Sequence, residues 1–531
     1  MRLLTPKQVN IVDQYIESLG LPVSHLMEQA GRSVFEVVHR YIQEVKGPKG
    51  VLFLCGIGNN GGDALVAARL LTEVPEVTPY VVVCGNPEEG SPLFQQQWKV
   101  VHTLEDTITI VTDEMMEFNG NLIPSHILRD VSVVVDGVFG TGFHGELPKQ
   151  IGTIFEQCKA WRCNSETRTC IAIDIPSGVN GLTGNADAFS FRADETITLL
   201  APKVGMLMYP GRQCVGKMTL GSIGYPFPHH ALGESDQNCQ EIYWNNADSL
   251  HVEPRSPIAH KGINGHVYIV GGSPGIYGAP ILSAEGALRS GAGKVTILSG
   301  TNELDALRSL SRPEMMIRDC NNVEQLDGNS TVVIGPGGGR SNTDRKHLLQ
   351  WMQSVTDSHM VLDADGLIAI SNDVSLLKQC SYTLGKKGYV VVVTPHLGEF
   401  SALTGKSIGD INQDPIGYAS EFAKEHGVYV VLKGQPTIMA TPNGKVFVTT
   451  NGNPYMGTGG MGDVLAGVIG SMLNQEQDPT NAINVAIYAH SRAGDIALED
   501  LGPGFTPTEV AQRIGRVLPT IDGYMQMIPL R

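Results

Sequence analysis

The sequence predicts two three-layer α/β domains joined by a linker. Runs of apolar residues, most of them ended by glycine, aspartate or proline, recur along the chain with helical or loop stretches between them. Continuous apolar runs are typical of buried parallel strands, and their alternation with helices is typical of doubly wound sheets. The stretch Pro226–Asn246 lacks periodicity, and the motifs on its two sides follow different orders. A length of 531 residues also exceeds one ordinary domain. We place the domains at residues 1–227 and 240–531.

The N-terminal half begins with two predicted helices and continues with predicted strands. Apolar residues recur at helical spacing from Thr5 to about Val45, and Gly20-Leu21-Pro22 interrupts them. The runs that we interpret as strands are Val51–Cys55, Tyr80–Cys84, Val131–Val135, Cys170–Ile173 and Thr196–Leu200.

The C-terminal half shows a second α/β pattern. Helical spacing covers Ile281–Arg289 and Val468–Leu473. Ligands of such sheets bind at the carboxyl ends of the strands, so the loops that follow the strands are the places to look for function. The predicted strands are His266–Val270, Lys294–Leu298, Thr331–Ile334, Met360–Leu362, Tyr389–Val393 and Tyr429–Leu432.

Composition and charge exclude several classes of protein. A formal net charge of -16 disfavours nucleic acid as a partner, because phosphate contacts need basic faces. No apolar run reaches membrane-spanning length, and the N-terminus lacks an apolar signal core. We therefore expect a cytoplasmic protein without membrane or nucleic-acid partners. Acidity does not exclude a phosphorylated small ligand, because backbone amides bind phosphate without net positive charge.

The first strand is followed by the glycine-rich loop 56–63, with the sequence Gly-Ile-Gly-Asn-Asn-Gly-Gly-Asp. The loop contains the dinucleotide fingerprint, but the second strand ends at Cys84 without the acidic residue that the fingerprint requires. Its glycines let amides approach a phosphate at a helix N-terminus, and its asparagines offer oxygens to a cation. The alternative is a turn in which Asp63 caps the helix that follows.

Two later loops of this half each begin with aspartate at the end of a strand. Loop 136–146 reads Asp-Gly-Val-Phe-Gly-Thr-Gly-Phe-His-Gly-Glu, and loop 174–179 reads Asp-Ile-Pro-Ser-Gly-Val. Aspartates at the carboxyl ends of successive parallel strands point into one crevice, where an idle buried carboxylate is costly. Their oxygens suit a hard monovalent cation as well as a substrate.

Over about residues 1–225 these loops resemble the NAD(P)H-hydrate epimerase domain, with a Rossmann-like sheet. The resemblance implies potassium ligation by Asn60, Asp136 and Ser177, and an acid–base role for Asp174. The implied substrate contacts are Asn59, Asn60, Gly61, Gly62, Asp63, Gly140, Thr141, Gly142, Phe143, His144, Gly145, Glu146 and Asp174.

The clearest motif of the C-terminal half is loop 457–467, which reads Gly-Thr-Gly-Gly-Met-Gly-Asp-Val-Leu-Ala-Gly. Stacked glycines at a helix start expose several amides to an anion, and the helix dipole adds to the attraction. Asp463, directly after them, is placed to take a proton from a hydroxyl that attacks a phosphoryl group. Upstream, a strand is followed by loop 433–437, which reads Lys-Gly-Gln-Pro-Thr and can reach nucleotide phosphate.

Over about residues 240–525 the motifs resemble the ADP- or ATP-dependent NAD(P)H-hydrate dehydratase domain, which is ribokinase-like. They include His260-Lys261-Gly262, Gly335-Pro336-Gly337 and the loops that begin at Asp363 and Thr394. The resemblance implies Mg²⁺ with ADP or ATP, hydrate contacts by Ala279, Gly337, His396 and Asp463, and nucleotide contacts by Lys433, Gly434, Gln435, Pro436, Thr437 and Gly462.

Two departures, Tyr455 where a small residue is common and Pro436 near the nucleotide, leave the choice between ADP and ATP open.

Together the two resemblances predict one enzyme, a homo-oligomer that repairs hydrated NADH and NADPH. The hydrate exists as R and S forms; dehydration acts on the S form, and an epimerase makes the R form usable. The first alternative is a ribokinase-like small-molecule kinase fused to a non-catalytic Rossmann-like domain. The second is an interaction scaffold, which the presence of Asp136 and Asp174 disfavours.

Overall fold

The computed structural model describes residues 1–111, 122–232, 240–252, 254–322, 326 and 328–521. The chain divides into two compact units, Arg2–Cys239 and Gln240–Arg531, with Met1 grouped with the second. No helix within the described ranges is long and apolar enough to cross a membrane.

The N-terminal unit is built on a seven-stranded parallel sheet in the order β4-β3-β2-β5-β6-β7-β8. Its strands, after β1 at Arg2–Leu3, are β2 Gly50–Gly56, β3 Thr78–Cys84, β4 Thr109–Val111, β5 Val131–Gly137, β6 Thr169–Ile173, β7 Glu195–Leu199 and β8 Lys217–Gly221. Its helices are α1 Pro6–Ser18, α2 Val23–Glu44, α3 Asn59–Leu71, α4 Pro92–His102, α5 Ser125–Asp130, α6 Lys149–Cys163 and α7 Arg212–Val215.

Strand β2 shows why this unit has three layers. Phe53 packs with α2, α3 and α4 on one face of the sheet, whereas Leu52 and Leu54 pack with α5 and α6 on the other. All three side chains are fully buried. A strand buried on both faces is apolar at every position, which is the pattern that the sequence shows here.

The C-terminal unit contains a mixed sheet whose strands follow the order β9-β18-β17-β16-β15-β14-β13-β10-β11-β12. β17 is antiparallel to both neighbours, and the other pairs are parallel. The strands are β9 Ile242–Trp244, β10 His266–Val270, β11 Lys294–Ser299, β12 Met316–Asp319, β13 Ser330–Ile334, β14 His359–Leu362, β15 Val391–Val393, β16 Tyr429–Leu432, β17 Thr437–Ala440 and β18 Val446–Thr449.

Helices cover both faces of this sheet. Val333, Val361 and Val392 pack with α8, α16, α17 and α18, and the residues that alternate with them face away from that cluster. Helix α10 contacts β13, α12 contacts β15, and α15 contacts β16 and β17. The helices are α8 Gly278–Arg289, α9 Leu304–Leu310, α10 Asn342–Ser354, α11 Asp365–Ile370, α12 Ser375–Gly385, α13 Leu397–Thr404, α14 Ile408–Gln413, α15 Pro415–His426, α16 Met461–Leu473, α17 Pro479–Leu501 and α18 Pro507–Val517. The prediction of two three-layer α/β domains is confirmed.

The structure adds a short strand to the predicted linker and contradicts one alternative for the first glycine-rich loop. The stretch Pro226–Asn246 is not wholly irregular, because Ile242–Trp244 forms a strand paired with β18; three residues are too few to show a period. Asp63 is not an N-cap. Helix α3 begins at Asn59 with Gly58 as its cap, so Asp63 lies inside the helix and is buried.

Candidate active sites

The N-terminal unit contains a cavity of about 630 Å³ at the carboxyl ends of β2, β5 and β6. Its lining comes from α1 and α2, the start of α3 and the loops after these strands. The predicted residues that line it are Asn59, Asn60, Asp63, Gly140, Thr141, Gly142, Phe143 and Asp174. The other predicted residues, which the structure also describes, lie outside the lining; they are Gly61, Gly62, Asp136, His144, Gly145, Glu146 and Ser177.

The start of α3 is held against β2 by backbone contact. A Cβ atom on Gly61 would overlap the carbonyl oxygen of Gly56, and one on Gly62 would overlap the side chain of Met27. Gly61 therefore lets the helix start approach the strand end, and Gly62 lets it approach α2. The N-cap, Gly58, supplies no side-chain acceptor and lines the cavity, so the positive end of the helix dipole faces the cavity.

The three residues predicted for potassium meet beside the cavity, around the peptide group of Phe139. Ser177 donates its hydroxyl to Asp136 Oδ1 at 2.7 Å, and its amide donates to Asp136 Oδ2 at 2.8 Å. Asn60 Nδ2 donates to the carbonyl of Phe139 at 3.0 Å, and Ser177 Oγ accepts from the amide of Phe139 at 2.8 Å. Side-chain and carbonyl oxygens are thus gathered in one place.

Asp136 is fully buried, and the described residues provide no ion pair for it. Burial raises its pKa to about 6, although the hydrogen bonds from Ser177 and Val138 act in the opposite direction. A hard, weakly charged cation among these oxygens would balance the carboxylate. The donor set therefore fits the potassium ion that the sequence predicts.

Asp174 forms an ion pair that the sequence did not predict. Lys203, which is fully buried, places its ammonium against Asp174 Oδ1 and also donates to the Leu199 carbonyl at 2.8 Å and to Thr198 Oγ1 at 3.2 Å. Both members of the pair line the cavity. Each buried charge is balanced by the other, and the pair holds one carboxylate oxygen in a fixed place.

The C-terminal unit contains a cavity of about 580 Å³ at the start of α16. The predicted residues that line it are His396, Lys433, Gly434, Gln435, Thr437, Gly462 and Asp463. Ala279, Gly337 and Pro436, which are also described, lie outside its lining. Ala279 and Gly337 are neighbours, because a Cβ on Gly337 would lie 3.3 Å from that of Ala279.

Asp463 lies in the first turn of α16, shortly after a position whose backbone conformation favours glycine. Gly460, the N-cap, has φ +102°, a conformation that side chains with a Cβ rarely adopt. Burial, with Asp363 as the next cause, raises the pKa of Asp463 to about 7. This carboxyl therefore exchanges a proton near neutral pH, as a general base requires.

Lys433 faces this carboxyl from the loop after β16. Its ammonium lies 2.6 Å from Asp363 Oδ1 and 3.8 Å from Glu399 Oε2. Burial alone would lower the pKa of Lys433, but Asp363 and Glu399 raise it above the ordinary lysine value. Glu399 also lies 3.4 Å from His396 Nε2. One network thus links three residues that line the cavity, Asp363, His396 and Lys433, with Glu399, which lies outside the lining.

Two protein families match the chain. The family described as NAD(P)H-hydrate dehydratase matches residues 267–516, and the one described as YjeF-related protein N-terminus matches residues 23–205. A relative named bifunctional NAD(P)H-hydrate repair enzyme Nnr, from Thermofilum pendens, is 32% identical over 516 residues, which cover 94% of this chain and 93% of the relative. The relative of the same name from Escherichia coli is 31% identical, over 94% of this chain and 90% of its own.

The chain belongs to the family of bifunctional NAD(P)H-hydrate repair enzymes.

Membership of the bifunctional NAD(P)H-hydrate repair enzymes disfavours the kinase alternative, because the relatives match across both units. Among solved structures, a Bacillus subtilis ADP/ATP-dependent NAD(P)H-hydrate dehydratase, co-crystallised with ATP and Mg²⁺, is 27% identical, covers 50% of this chain and 94% of that chain, and has a TM-score of 0.43.

The sequence motifs of this bifunctional NAD(P)H-hydrate repair enzyme did not indicate two charged residues that line the N-terminal cavity. Lys203 follows β7 by four residues, so the rule that strand ends carry the site would have found it. Asp13 lies on α1, before the region that the N-terminal family matches, and it also lines the cavity. The spacing of apolar residues in α1 indicates its buried face but does not indicate that its polar face lines a cavity.

Proposed function

We propose that the N-terminal unit, residues 1–227, interconverts the R and S hydrates of NADH and NADPH, and that residues 240–531 dehydrate the S form at the expense of ADP or ATP. The observation that carries this proposal is that each unit has a cavity lined by a carboxyl at a strand or helix end. These carboxyls are Asp174 and Asp463.

Dehydration needs the hydroxyl of the hydrated ring to become a leaving group. Asp463 takes the proton of this hydroxyl, whose oxygen then attacks the terminal phosphoryl group of the nucleotide. The bond to the bridging oxygen breaks, and AMP leaves when ADP is the donor, or ADP when ATP is the donor. The ring nitrogen lone pair expels phosphate, and loss of a proton from the neighbouring carbon restores the dihydronicotinamide. The amides of the glycine-rich start of α16 stabilise the phosphoryl oxygens, with Gly462 beside Lys433.

Mg²⁺ would arrive with the nucleotide phosphates. Within the described residues, no group of three acidic, histidine or cysteine side chains could hold a metal ion. The carboxylates of Asp363 and Glu399 already contact Lys433. We assign the nucleotide contacts to residues 433–437 and Gly462, and the hydrate contacts of this unit to Ala279, Gly337, His396 and Asp463.

In the N-terminal unit we assign hydrate binding to the cavity at the start of α3 and to loop 140–146, of which residues 140–143 line the cavity. Asn60, Asp136 and Ser177 would hold potassium, which supplies a fixed positive charge beside the hydrate. Asp174 transfers protons during epimerisation. The distinction between ion-binding and proton-transferring carboxylates follows from their partners, because Asp136 contacts neutral donors whereas Asp174 contacts Lys203.

We expect the purified chain to restore the absorbance of the dihydronicotinamide when mixed R and S hydrates are supplied with ADP or ATP. With nucleotide, both epimers should be consumed and free phosphate released; without it, the epimers should exchange but not disappear. Product analysis tests the kinase alternative directly. A stable phosphorylated product in place of the restored cofactor would contradict the proposed function.

We expect Asp136→Ala to weaken hydrate binding, because the cation loses its only carboxylate ligand among the three assigned residues. High potassium should partly restore binding by mass action. Hydrate titrations across a potassium series measure this, and thermal denaturation in potassium against lithium chloride gives a second readout without substrate. Asp106→Ala, at an exposed position of the same unit, is the matched control. If hydrate binding by Asp136→Ala depended on potassium in the same way as binding by the wild type, the assignment would be contradicted.

A further inference from the structure

Helix α1 brings a second carboxyl group to the N-terminal cavity. Val9, Asn10 and Asp13 all line the cavity, and their spacing of three and four residues places them on one face of the helix. Val12 and Ile16 of the same helix are fully buried in the core. The position of Asp13 is therefore fixed by packing.

The start of α1 is also fixed. Thr5 and Gln8 form a reciprocal capping box, and Pro6 occupies the first helical turn. Asp13 is thus carried by a well-defined helix and not by a loose N-terminal segment.

The surroundings of Asp13 are charged, yet no partner engages its carboxyl. Asp174, Asp63 and Lys203 are its electrostatic neighbours. The ammonium of Lys203 contacts Asp174, and within the described part of the chain neither a hydrogen bond nor an ion pair reaches the Asp13 side chain. A half-buried carboxyl without a partner, directed at a ligand cavity, is available for proton transfer.

Epimerisation itself demands a second group. The R and S hydrates carry the hydroxyl on opposite faces of the ring, so a proton must be delivered on one face and removed on the other. A single carboxyl held by Lys203 serves one face only. We propose that Asp13 is the second proton-transfer residue of the epimerase and acts on the ring face opposite to Asp174; this rests on the proposed epimerase function.

The steps balance with water as the only co-reactant. The Asp13 carboxyl gives its proton to the hydroxyl as the carbon–oxygen bond breaks, the bonding pair leaves with oxygen as water, and the ring nitrogen lone pair forms an iminium. A water on the other face adds to the same carbon and gives a proton to the Asp174 carboxylate, while the C=N electron pair returns to nitrogen. Exchange with solvent resets both carboxyls, and the reverse reaction uses them in exchanged roles.

The protonation of Asp13 agrees with this role. Burial, and then the charge of Asp174, raise the pKa of Asp13 to about 6, while Lys203 lowers it. Burial also raises the pKa of Asp63, which faces the same cavity from α3, well above its ordinary value. Because the donor form of Asp13 is lost as pH rises through about 6, the rate of epimer exchange should fall over that range.

The test compares Asp13→Asn with Glu17→Gln, which removes a charge from an exposed position of the same helix. Epimer exchange is followed by NMR without nucleotide, above the rate in buffer alone. In Asp13→Asn the rate of epimer exchange should fall by about 100-fold or more, and its pH dependence near 6 should disappear. This variant should still bind hydrate. Asp13→Glu should recover part of the rate. Glu17→Gln should match the wild type. The wild type should also incorporate one solvent ¹⁸O for each epimerisation.

Different results overturn different claims. A wild type that fails to exchange epimers contradicts the proposed function. If the wild type exchanges the epimers and the rate of Asp13→Asn is within a few-fold of it, the role of Asp13 is overturned. The same conclusion follows if Asp13→Asn keeps the pH profile of the wild type. Loss of hydrate binding in Asp13→Asn, with no rescue by Asp13→Glu, shows a structural role instead. Exchange without ¹⁸O incorporation overturns the iminium route.

Discussion

Replacement of Asp463 by asparagine is expected to slow dehydration by about 100- to 10,000-fold, the usual contribution of a positioned base. Asparagine keeps the shape of the side chain at the start of α16 and removes the group that accepts the proton. Epimer exchange should be unchanged, because Asp463 belongs to the cavity of the C-terminal unit. Restored cofactor, measured by absorbance with saturating nucleotide, gives the rate.

The pH profile adds a second readout for Asp463. Its pKa is raised to about 7, so the basic form and the dehydration rate of the wild type should rise as pH increases through 7. That rise should be absent from any residual activity of Asp463→Asn. Asp305→Asn, at an almost fully exposed position of the same unit, is the control. Near-normal dehydration by Asp463→Asn would remove this residue from the mechanism.

The second large effect is expected for Asp174→Asn, which should slow epimer exchange by about 100- to 10,000-fold with little change in hydrate binding. A base acts mainly in the transition state, so its loss lowers the rate more than the affinity. Asparagine is preferable to alanine here because Asp174 has φ +66°, a left-handed conformation that asparagine tolerates. Epimer exchange by NMR without nucleotide is the measurement.

Asp174→Asn also leaves the buried ammonium of Lys203 without its counter-charge. The double variant Asp174→Asn with Lys203→Met removes both charges and separates the two effects. If the double variant is as stable as the wild type and still slow, loss of the base is the cause. If it exchanges at the normal rate, Asp174 is not the proton-transfer residue. Neither variant should respond to potassium as Asp136→Ala does.

The sequence predicted the central strands well and the edges of the sheets less well. Val131–Val135 and His266–Val270 are continuous apolar runs because helices cover both of their faces, and the structure confirms them as strands. The short strand Ile242–Trp244 falls within the predicted linker. A strand of three residues with one fully buried side chain carries too little pattern to be recognised.

The same reasoning explains which parts of the sites could be predicted. Asp136 and Asp174 directly follow or end strands, so topology alone brings them to the same edge of the sheet, where only Asp174 lines the cavity. Asp13 comes from a helix, and sequence periodicity shows which face of a helix is apolar without showing what its polar face meets. The pairing of Lys433 with Asp363 joins two loops separated by 70 positions, which no local pattern reveals.

The contact between Gly61 and Gly56 gives the N-terminal site an unusual tolerance. The distance between the start of α3 and the end of β2 is set there by main-chain atoms, without any side chain between them. Exchange of one apolar residue for another deeper in the core, at Phe53 or Leu65, changes packing and hence folding stability. The spacing between the start of α3 and the end of β2 would survive such changes, so lineages of this enzyme can drift in thermal stability while this wall of the cavity stays in place.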